Sequence, residues 1–469
     1  MATDRNPYSD LEAIAAMPGL EELAAVCEPW ANRRCPTSML IFTAGQWAAG
    51  SRNRLHSMLQ HSPLWESVRQ SAARVGRQLP ERPPTQDQLD KFRRDAPDDL
   101  GLRLALALTP ATRHVVDAVG LLPDVRSCLH RPSRANMVWA DGSKFSSLTG
   151  VVVDPTTGEY VGSRSIHNNP RVSPHQRVSA RNNVTNDVPI EIAGVHGGQP
   201  LLRCILGVGV YPEGNEEDAA LAVLRHVHGV YGSRIHAVIY DRLLSSHTQR
   251  NLVRLGIIPV VDTKNADAGR LPHTPVPADM QQQLGTKTHP RITARIALLA
   301  EIDHTPHCRH QLWALDNAIV DTGEDTHPTF NHPVAELTNL EFSDGELNAT
   351  YRVPCRHGDV RHTIDLAGLI PGTRTPVLEY VRPLQITDAL TSVRGWRSPV
   401  ESAFAQLQQS LPHADRVRSL HINNIFQDFV GGALHINAVA WDVHAARHTS
   451  LGKQQAQSLH RRQRPQPVI

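Results

Sequence analysis

The sequence is short of the features that would place it in a special class. It has almost no excess of charge, since 48 Lys and Arg stand against 46 Asp and Glu for a net +2. Overall charge therefore names no partner. It has no run of roughly 18 apolar residues free of charge, so no membrane span is expected. Its first residues, Met1-Ala2-Thr3-Asp4-Arg5-Asn6, lack the charged-then-apolar layout of a secretory leader, and a cytoplasmic protein is the expectation. Six cysteines in 469 residues, with no Cys-x-x-Cys, do not make a disulfide framework. The thiols are expected to be reduced, or some of them bound to metal. Aromatic residues are few at 5%, against 26 His and 34 Pro, which implies abundant loops and no large aromatic cores. What is present is ordinary: 40% hydrophobic and 20% charged residues describe a globular chain, long enough for about three domains.

Hydrophobic spacing divides the chain. Residues 1–130 read as an all-helical domain, with Leu11, Ile14, Leu20, Leu23, Trp47, Leu55, Leu59 and Val68 at mixed three and four spacings. Thr85 is placed to cap a helix running through Phe92. The Arg content of this region makes it a candidate DNA-binding domain, although a plain helical bundle fits equally and no recognition helix stands out. At Asn136 the period changes to two. Met137–Ser143 is an apolar strand running into Asp-Gly, and Gly150–Asp154 and Glu159–Val161 flank a Pro-Thr-Thr-Gly turn. Arg203–Val210 is a further strand and Asn215–Val230 a helix whose acidic start suits its dipole. Then Ile235–Asp241 reads as a strand, Thr248–Leu255 as a helix and Ile257–Asp262 as a strand. This succession makes residues 131–265 an α/β unit with a mixed sheet. Residues 266–385, rich in turn signals, read as a β-rich insertion. Helices return over 386–448, and residues 449–469 form a basic tail carrying Lys453, Arg461, Arg462 and Arg464 with no acid. Such a tail suits nucleic-acid phosphates or is simply a solvated end.

Acids punctuate the strands. Asp141 and Asp241 each end one, and in a sheet centred on the first strand these two strands are neighbours. Carboxylates at one edge of adjacent strands can share a divalent cation, as phosphoryl transfer by two Mg²⁺ ions about 4 Å apart requires. Glu401 is the candidate third carboxylate, with spacings of 100 residues from Asp141 to Asp241 and 160 from Asp241 to Glu401. Plain turn chemistry also accounts for Asp141-Gly142 and Asp241-Arg242. Ser398-Pro399-Val400-Glu401 is a capping box with Pro at the first helical position, which is compatible with a metal role. Asp388 and Glu379 are alternatives for the third acid.

These residues carry a family resemblance. The order of elements, with acids on the first strand, after the fourth and on a late helix, is similar to the ribonuclease-H-like core of Asp-Asp-Glu transposases. The stretch Arg394-Gly395-Trp396-Arg397-Ser398-Pro399-Val400-Glu401 through Gln408 resembles the Tyr-x2-Arg-x3-Glu-x6-Lys signature of one large group of bacterial insertion-sequence transposases. Arg397 and Glu401 match; Arg394 stands where that group has Tyr, and Gln408 where it has Lys. The family also carries a β-rich insertion between its second Asp and its Glu.

The resemblance implies a ribonuclease-H-like mixed sheet with flanking helices, split into residues 131–265 and 386–448 by the insertion and preceded by the helical domain. It implies a DNA transposase with Asp141, Asp241 and Glu401 as catalytic residues holding Mg²⁺ or Mn²⁺. Its partners would be double-stranded DNA, namely the element's terminal repeats and a target, bound by a homodimer near the bacterial nucleoid and away from any membrane. Water would attack at the element's end, and the freed 3′-hydroxyl would attack a second phosphate. Arg397 would grip the backbone near the scissile phosphate, and Arg394 could supply a further contact. Lys144 and Lys264, just past two strands, and Arg171 and Arg177, in an Arg- and Asn-rich stretch lacking acid before Asp187, are further DNA-contact candidates. Each is also readable as solvated surface. A domesticated or inactive relative that binds DNA without cutting it is the alternative, and a nuclease with the same core but no strand transfer is a third reading.

Inside the insertion, Cys308-Arg309-His310 and Cys355-Arg356-His357 repeat a Cys-x-His pair. Two Cys and two His suffice for a tetrahedral structural Zn²⁺ site. Chance is the competing account, because the spacing is not that of a standard finger.

Overall fold

The computed structural model describes residues 6–30, 35–60, 62–124, 132–153, 160–163, 175–178, 183–198, 201–210, 216–240, 244–261, 296–305, 308–315, 318–324, 328, 332–343, 345–381, 393, 407, 416–417 and 422–448. The architecture is mixed α/β, and the chain divides into two compact units. One comprises residues 1–124, 138–232 and 398–469, the other residues 125–137 and 233–397.

Among the described residues the first unit opens with seven α-helices, α1 (Pro7–Ala16), α2 (Leu20–Cys27), α3 (Pro36–Ala48), α4 (Arg52–Leu59), α5 (Ser62–Arg74), α6 (Gln86–Asp95) and α7 (Leu100–Val119). Their starts follow from local chemistry. Asn6 and Ser51 accept backbone N–H bonds at the heads of α1 and α4, and Pro36 opens α3. Thr85 and Gln88 form the reciprocal capping box of α6, as the sequence anticipates. The guanidinium of Arg77, only 8% exposed, donates to the carbonyls of Ala15 (2.6 Å) and Met17 (2.5 Å) and to Glu21. It thus satisfies the end of α1 with a cation, where the helix dipole favours one.

The sheet of this unit is built on β1 (Met137–Val153), with β2 (Tyr160–Ser163), β3 (His175–Val178), β4 (Asn183–His196) and β5 (Arg203–Val210). β4 runs antiparallel to β1 on one side and to β5 on the other, and β3 pairs antiparallel with β4. The two-residue strand Arg416–Val417 lies parallel to β1, so the sheet is mixed. β4 does not stand out in the sequence, where the Arg- and Asn-rich stretch before Asp187 reads as exposed chain between strands. The Asn, Ser and Arg preceding it mask its apolar half, Ile190, Ile192, Ala193 and Val195, all of which are fully buried. α8 (Glu216–Tyr231) covers β4 and β5.

The 27-residue helix α10 (Ile422–His448) packs on β5 and on α1, α3 and α7. It is buried around its circumference, from Ile425 and Phe429 through Ala433 and Ile436 to Ala440, the pattern of a core helix rather than an amphipathic one. Gly101 of α7 lets it approach, because a Cβ there would lie 2.2 Å from the Asn423 carbonyl oxygen. Several of its polar side chains are matched. Asp428 accepts from Arg93 (2.5 Å), and Trp47 Nε1 donates to the Asp428 carbonyl (2.7 Å). His435 Nε2 meets the Asp10 carboxylate at 3.0 Å. Asn437, fully buried, accepts from Ile205 N–H (2.7 Å) and donates to Ile205 C=O (3.0 Å) and to Thr112 Oγ1 (3.1 Å).

The second unit begins with the parallel pair β6 (Ala237–Tyr240) and β7 (Ile258–Val261), joined through α9 (Ser246–Arg254). Six strands follow. β8 (Ile296–Thr305), β9 (Cys308–Leu315) and β10 (Ala318–Asp321) make one antiparallel sheet, and β11 (Glu336–Ser343), β12 (Glu346–Val353) and β13 (Val360–Asp365) another. No helix among the described residues is long and apolar enough to cross a membrane.

Replacing Asn437 with Leu keeps the volume but leaves the Ile205 N–H and C=O buried without this partner. We expect a loss of about 2–4 kcal/mol, read from the urea midpoint of the full chain; a change below about 0.5 kcal/mol would mean that the amide bridge contributes nothing.

Candidate active-site carboxylate and candidate metal centre

Asp141 sits on β1 opposite Ile192 of β4. Residues two apart share a face of a strand, so Trp139, Asp141, Ser143 and Phe145 form one row. Trp139 and Phe145 at its ends are buried to 2% and 0% exposure. Trp139 lies against Gly194, where a Cβ would come within 2.2 Å of its ring, and Phe145 packs edge-on against Phe429 of α10 with ring centroids 4.8 Å apart. Asp141, between them, is only half-buried, and its Oδ1 accepts the Gly142 N–H at 3.0 Å. Ser143 beside it is half-buried too; a carboxylate partly withdrawn from water between buried rings is of the kind enriched among functional groups.

Asp241, the residue after β6, and Glu401 both lie outside the described residues, as do Arg394, Arg397, Lys264 and Arg171. Lys144 is on β1 with its backbone opposite Pro189, and Arg177 is on β3 with its backbone opposite Thr185.

The Cys-x-His pairs meet differently from expectation. On β9, Cys308 and His310 project from one face because they are two residues apart. Cys355 reaches them from the turn between β12 and β13, with Cys308 Sγ 3.2 Å from Cys355 Sγ and 3.2 Å from His310 Nε2. The fourth member is His304 of β8 rather than His357, and one ligand atom from each of His304, Cys308, His310 and Cys355 lies within 4.8 Å of all the others. His357 is in a turn, where alternation does not hold. Its ring accepts from Arg356 Nε (3.0 Å), and its backbone N–H donates to Cys355 Sγ (3.4 Å). His304 joins the group where the β8–β9 register shifts between Asp303 and Thr305, since a bulge re-aims a side chain. That irregularity is invisible in the spacing, although a His four residues before Cys308, across a short hairpin loop, is the signal available.

Asp321 of β10 completes the surroundings. Its Oδ2 accepts from His310 Nδ1 at 2.6 Å and its Oδ1 from Gly323 N–H at 3.0 Å, and both His310 and Asp321 are buried. The Asp321 bond fixes the imidazole tautomer, so that Nε2 is the nitrogen turned toward the sulfurs. Burial alone would lower the His310 pKa, but the Asp321 carboxylate and the Cys355 sulfur outweigh it and hold the group above its usual value. The His357 N–H is the largest influence on Cys355, and with the neighbouring Cys308, His304 and His310 it draws that thiol down to about 6. Cys308, hydrogen-bonded to Cys355, is raised.

Compared with known proteins, the chain matches no family model and no curated protein.

The remaining thiols offer a contrast that can be measured. Burial pushes Cys27 and Cys204 up to about 12. Only a thiolate alkylates, so at pH 8.5 each carries roughly a thousandth of the thiolate of a free cysteine. Iodoacetamide labelling followed by peptide mapping should leave Cys27 and Cys204 unmodified in the folded chain and label both in denaturant; rapid native labelling of either would contradict the packing described.

Proposed function

We propose that the protein is a metal-dependent transposase of the Asp-Asp-Glu type, built on a ribonuclease-H-like core, that cleaves DNA at the ends of its element and joins them to a target. The observation that carries this reading is Asp141, a half-buried carboxylate on β1 between the buried Trp139 and Phe145 of its row. The succession around it adds support: antiparallel β1, β4 and β5, then α8, then the parallel β6 and β7 joined through α9, with an acid at position 241 following β6 directly.

The reading assigns Asp141, Asp241 and Glu401 to two Mg²⁺ or Mn²⁺ ions. The half-exposed Asp141 carboxylate fits that group, because hard cations take oxygen donors. When bound, such ions activate the attacking oxygen and stabilise the leaving one. The chain's own residues then position DNA. The reading assigns Arg397 and Arg394 to phosphate contacts near the scissile bond, and Lys144, Lys264, Arg171, Arg177 and the N-terminal helices to flanking phosphates, giving binding that weakens steeply with salt. A homodimer pairing two ends in the bacterial cytoplasm, at the nucleoid, completes the proposal. The departures at Arg394 and Gln408 favour one second reading, a domesticated relative that binds DNA without cutting it.

The test uses the purified chain with Mg²⁺ or Mn²⁺ and labelled duplexes copied from the DNA flanking its own gene. Wild type should release 3′ ends and form joined products. Asp141→Asn, Asp241→Asn and Glu401→Gln should each cut roughly 10³-fold more slowly while binding the duplex within a few-fold of wild type. Binding without any cleavage would select the domesticated reading, cleavage without joining a nuclease, and cleavage that survives Asp141→Asn would remove Asp141 from the site.

A further inference from the structure

We propose that His304, Cys308, His310 and Cys355 bind a single zinc ion in a closed structural site that fastens the β12–β13 turn to the β8–β9 hairpin. The inference stands apart from the transposase reading, and neither depends on the other.

The donor set selects the metal. Two sulfurs and two imidazoles are soft to borderline ligands and favour zinc over Mg²⁺ or Ca²⁺, which take oxygen. The geometry is close to what the ion requires. With Zn–S about 2.3 Å and Zn–N about 2.0 Å, a tetrahedron has ligand-to-ligand edges of about 3.3–3.8 Å. The sulfur-to-sulfur and sulfur-to-nitrogen separations here, both 3.2 Å, lie just below that range, so a small outward movement of the side chains would admit the ion. A disulfide would require about 2.05 Å between the sulfurs, and both residues are free thiols.

The surroundings are those of a built site. The Asp321 carboxylate on His310 Nδ1 makes the carboxylate–histidine pair that orients a metal-binding imidazole and raises its basicity. The His357 N–H donates to Cys355 Sγ, stabilising the thiolate form that a metal needs. A ring nitrogen of His304, Nδ1, is buried without a hydrogen-bond partner.

Four protein ligands leave no open position, which separates a structural from a catalytic zinc. The topology shows what the ion would do. His304, Cys308 and His310 belong to one three-stranded sheet, and Cys355 to the turn of another. Sheets of three short strands are close to the limit of independent stability, and a cross-link between two of them adds the binding energy of the ion to folding.

The experiment measures metal in the full chain purified without chelator. Elemental analysis should find about one zinc per chain. Cobalt(II) exchanged into the wild type should give the strong visible absorption of a tetrahedral thiolate site. Cys308→Ser, Cys355→Ser and His304→Ala should each lower bound zinc at least tenfold, whereas His357→Ala should retain it. Asp321→Asn should keep the stoichiometry with roughly 10–100-fold weaker affinity. The wild-type cobalt spectrum and the His357→Ala variant keep the test decisive even if a ligand variant fails to fold. A wild-type chain that takes up neither zinc nor cobalt would overturn the proposal, as would a Cys308–Cys355 disulfide in the freshly purified protein. Zinc lost on His357→Ala but kept on His304→Ala would overturn the ligand assignment.

Discussion

Burial of α10 is the constraint on which the first unit rests. A helix apolar around its circumference must be enclosed, and here β5 takes one part of its surface while α1, α3 and α7 take the rest. The enclosure gains specificity because several polar groups it carries inward are matched: Asn437 to the backbone of Ile205, His435 to Asp10, and Asp428 to Arg93. An unmatched polar group at such depth costs more than the matched bond contributes, so these pairs penalise any other seating of the helix. Through Phe429 the same helix fixes Phe145 at one end of the β1 row that contains Asp141. The seating of a candidate catalytic carboxylate is thus tied to the core helix.

Much of this was legible in the sequence, and what was not has definite physical reasons. Periodicity of 3.6 located the N-terminal helices, and capping chemistry located the start of α6 at Thr85. Runs of β-branched residues between turn signals located β5, β6 and β7 within one or two residues. β4 escaped because it begins among Asn and Thr and carries Pro189 and Glu191, so neither alternation nor a continuous apolar run stands out; its identity comes from pairing with β1 and β5. The β-rich character of the segment after β7 was readable, but its Cys and His cluster only in part. Cys308 and His310 were found because a Cys-x-His on a strand places both side chains on one face. The same pattern at Cys355-x-His357 misled because it occupies a turn, and His304 and Asp321 come from neighbouring strands through register that spacing alone does not encode.

The two proposed metal functions differ in kind. The carboxylate site calls for oxygen donors, an incomplete shell and exposure to substrate, whereas the Cys and His cluster offers sulfur and nitrogen in a closed shell. Ligand hardness keeps such sites from competing for one ion. Chelators should separate them as well, since a weakly held Mg²⁺ is withdrawn and restored readily while a closed zinc site exchanges with unfolding of its surroundings.

The place of α10 in the chain has a consequence during synthesis. The helices it covers are complete by Val119, yet α10 begins only at Ile422, about 300 residues later. At 5–20 residues per second the ribosome needs roughly 15–60 s to cover that interval. Throughout it, the faces of α1, α3 and α7 that will receive α10 stand open on the nascent chain. They are apolar, and so they are natural substrates for chaperones that hold such surfaces apart until α10 arrives.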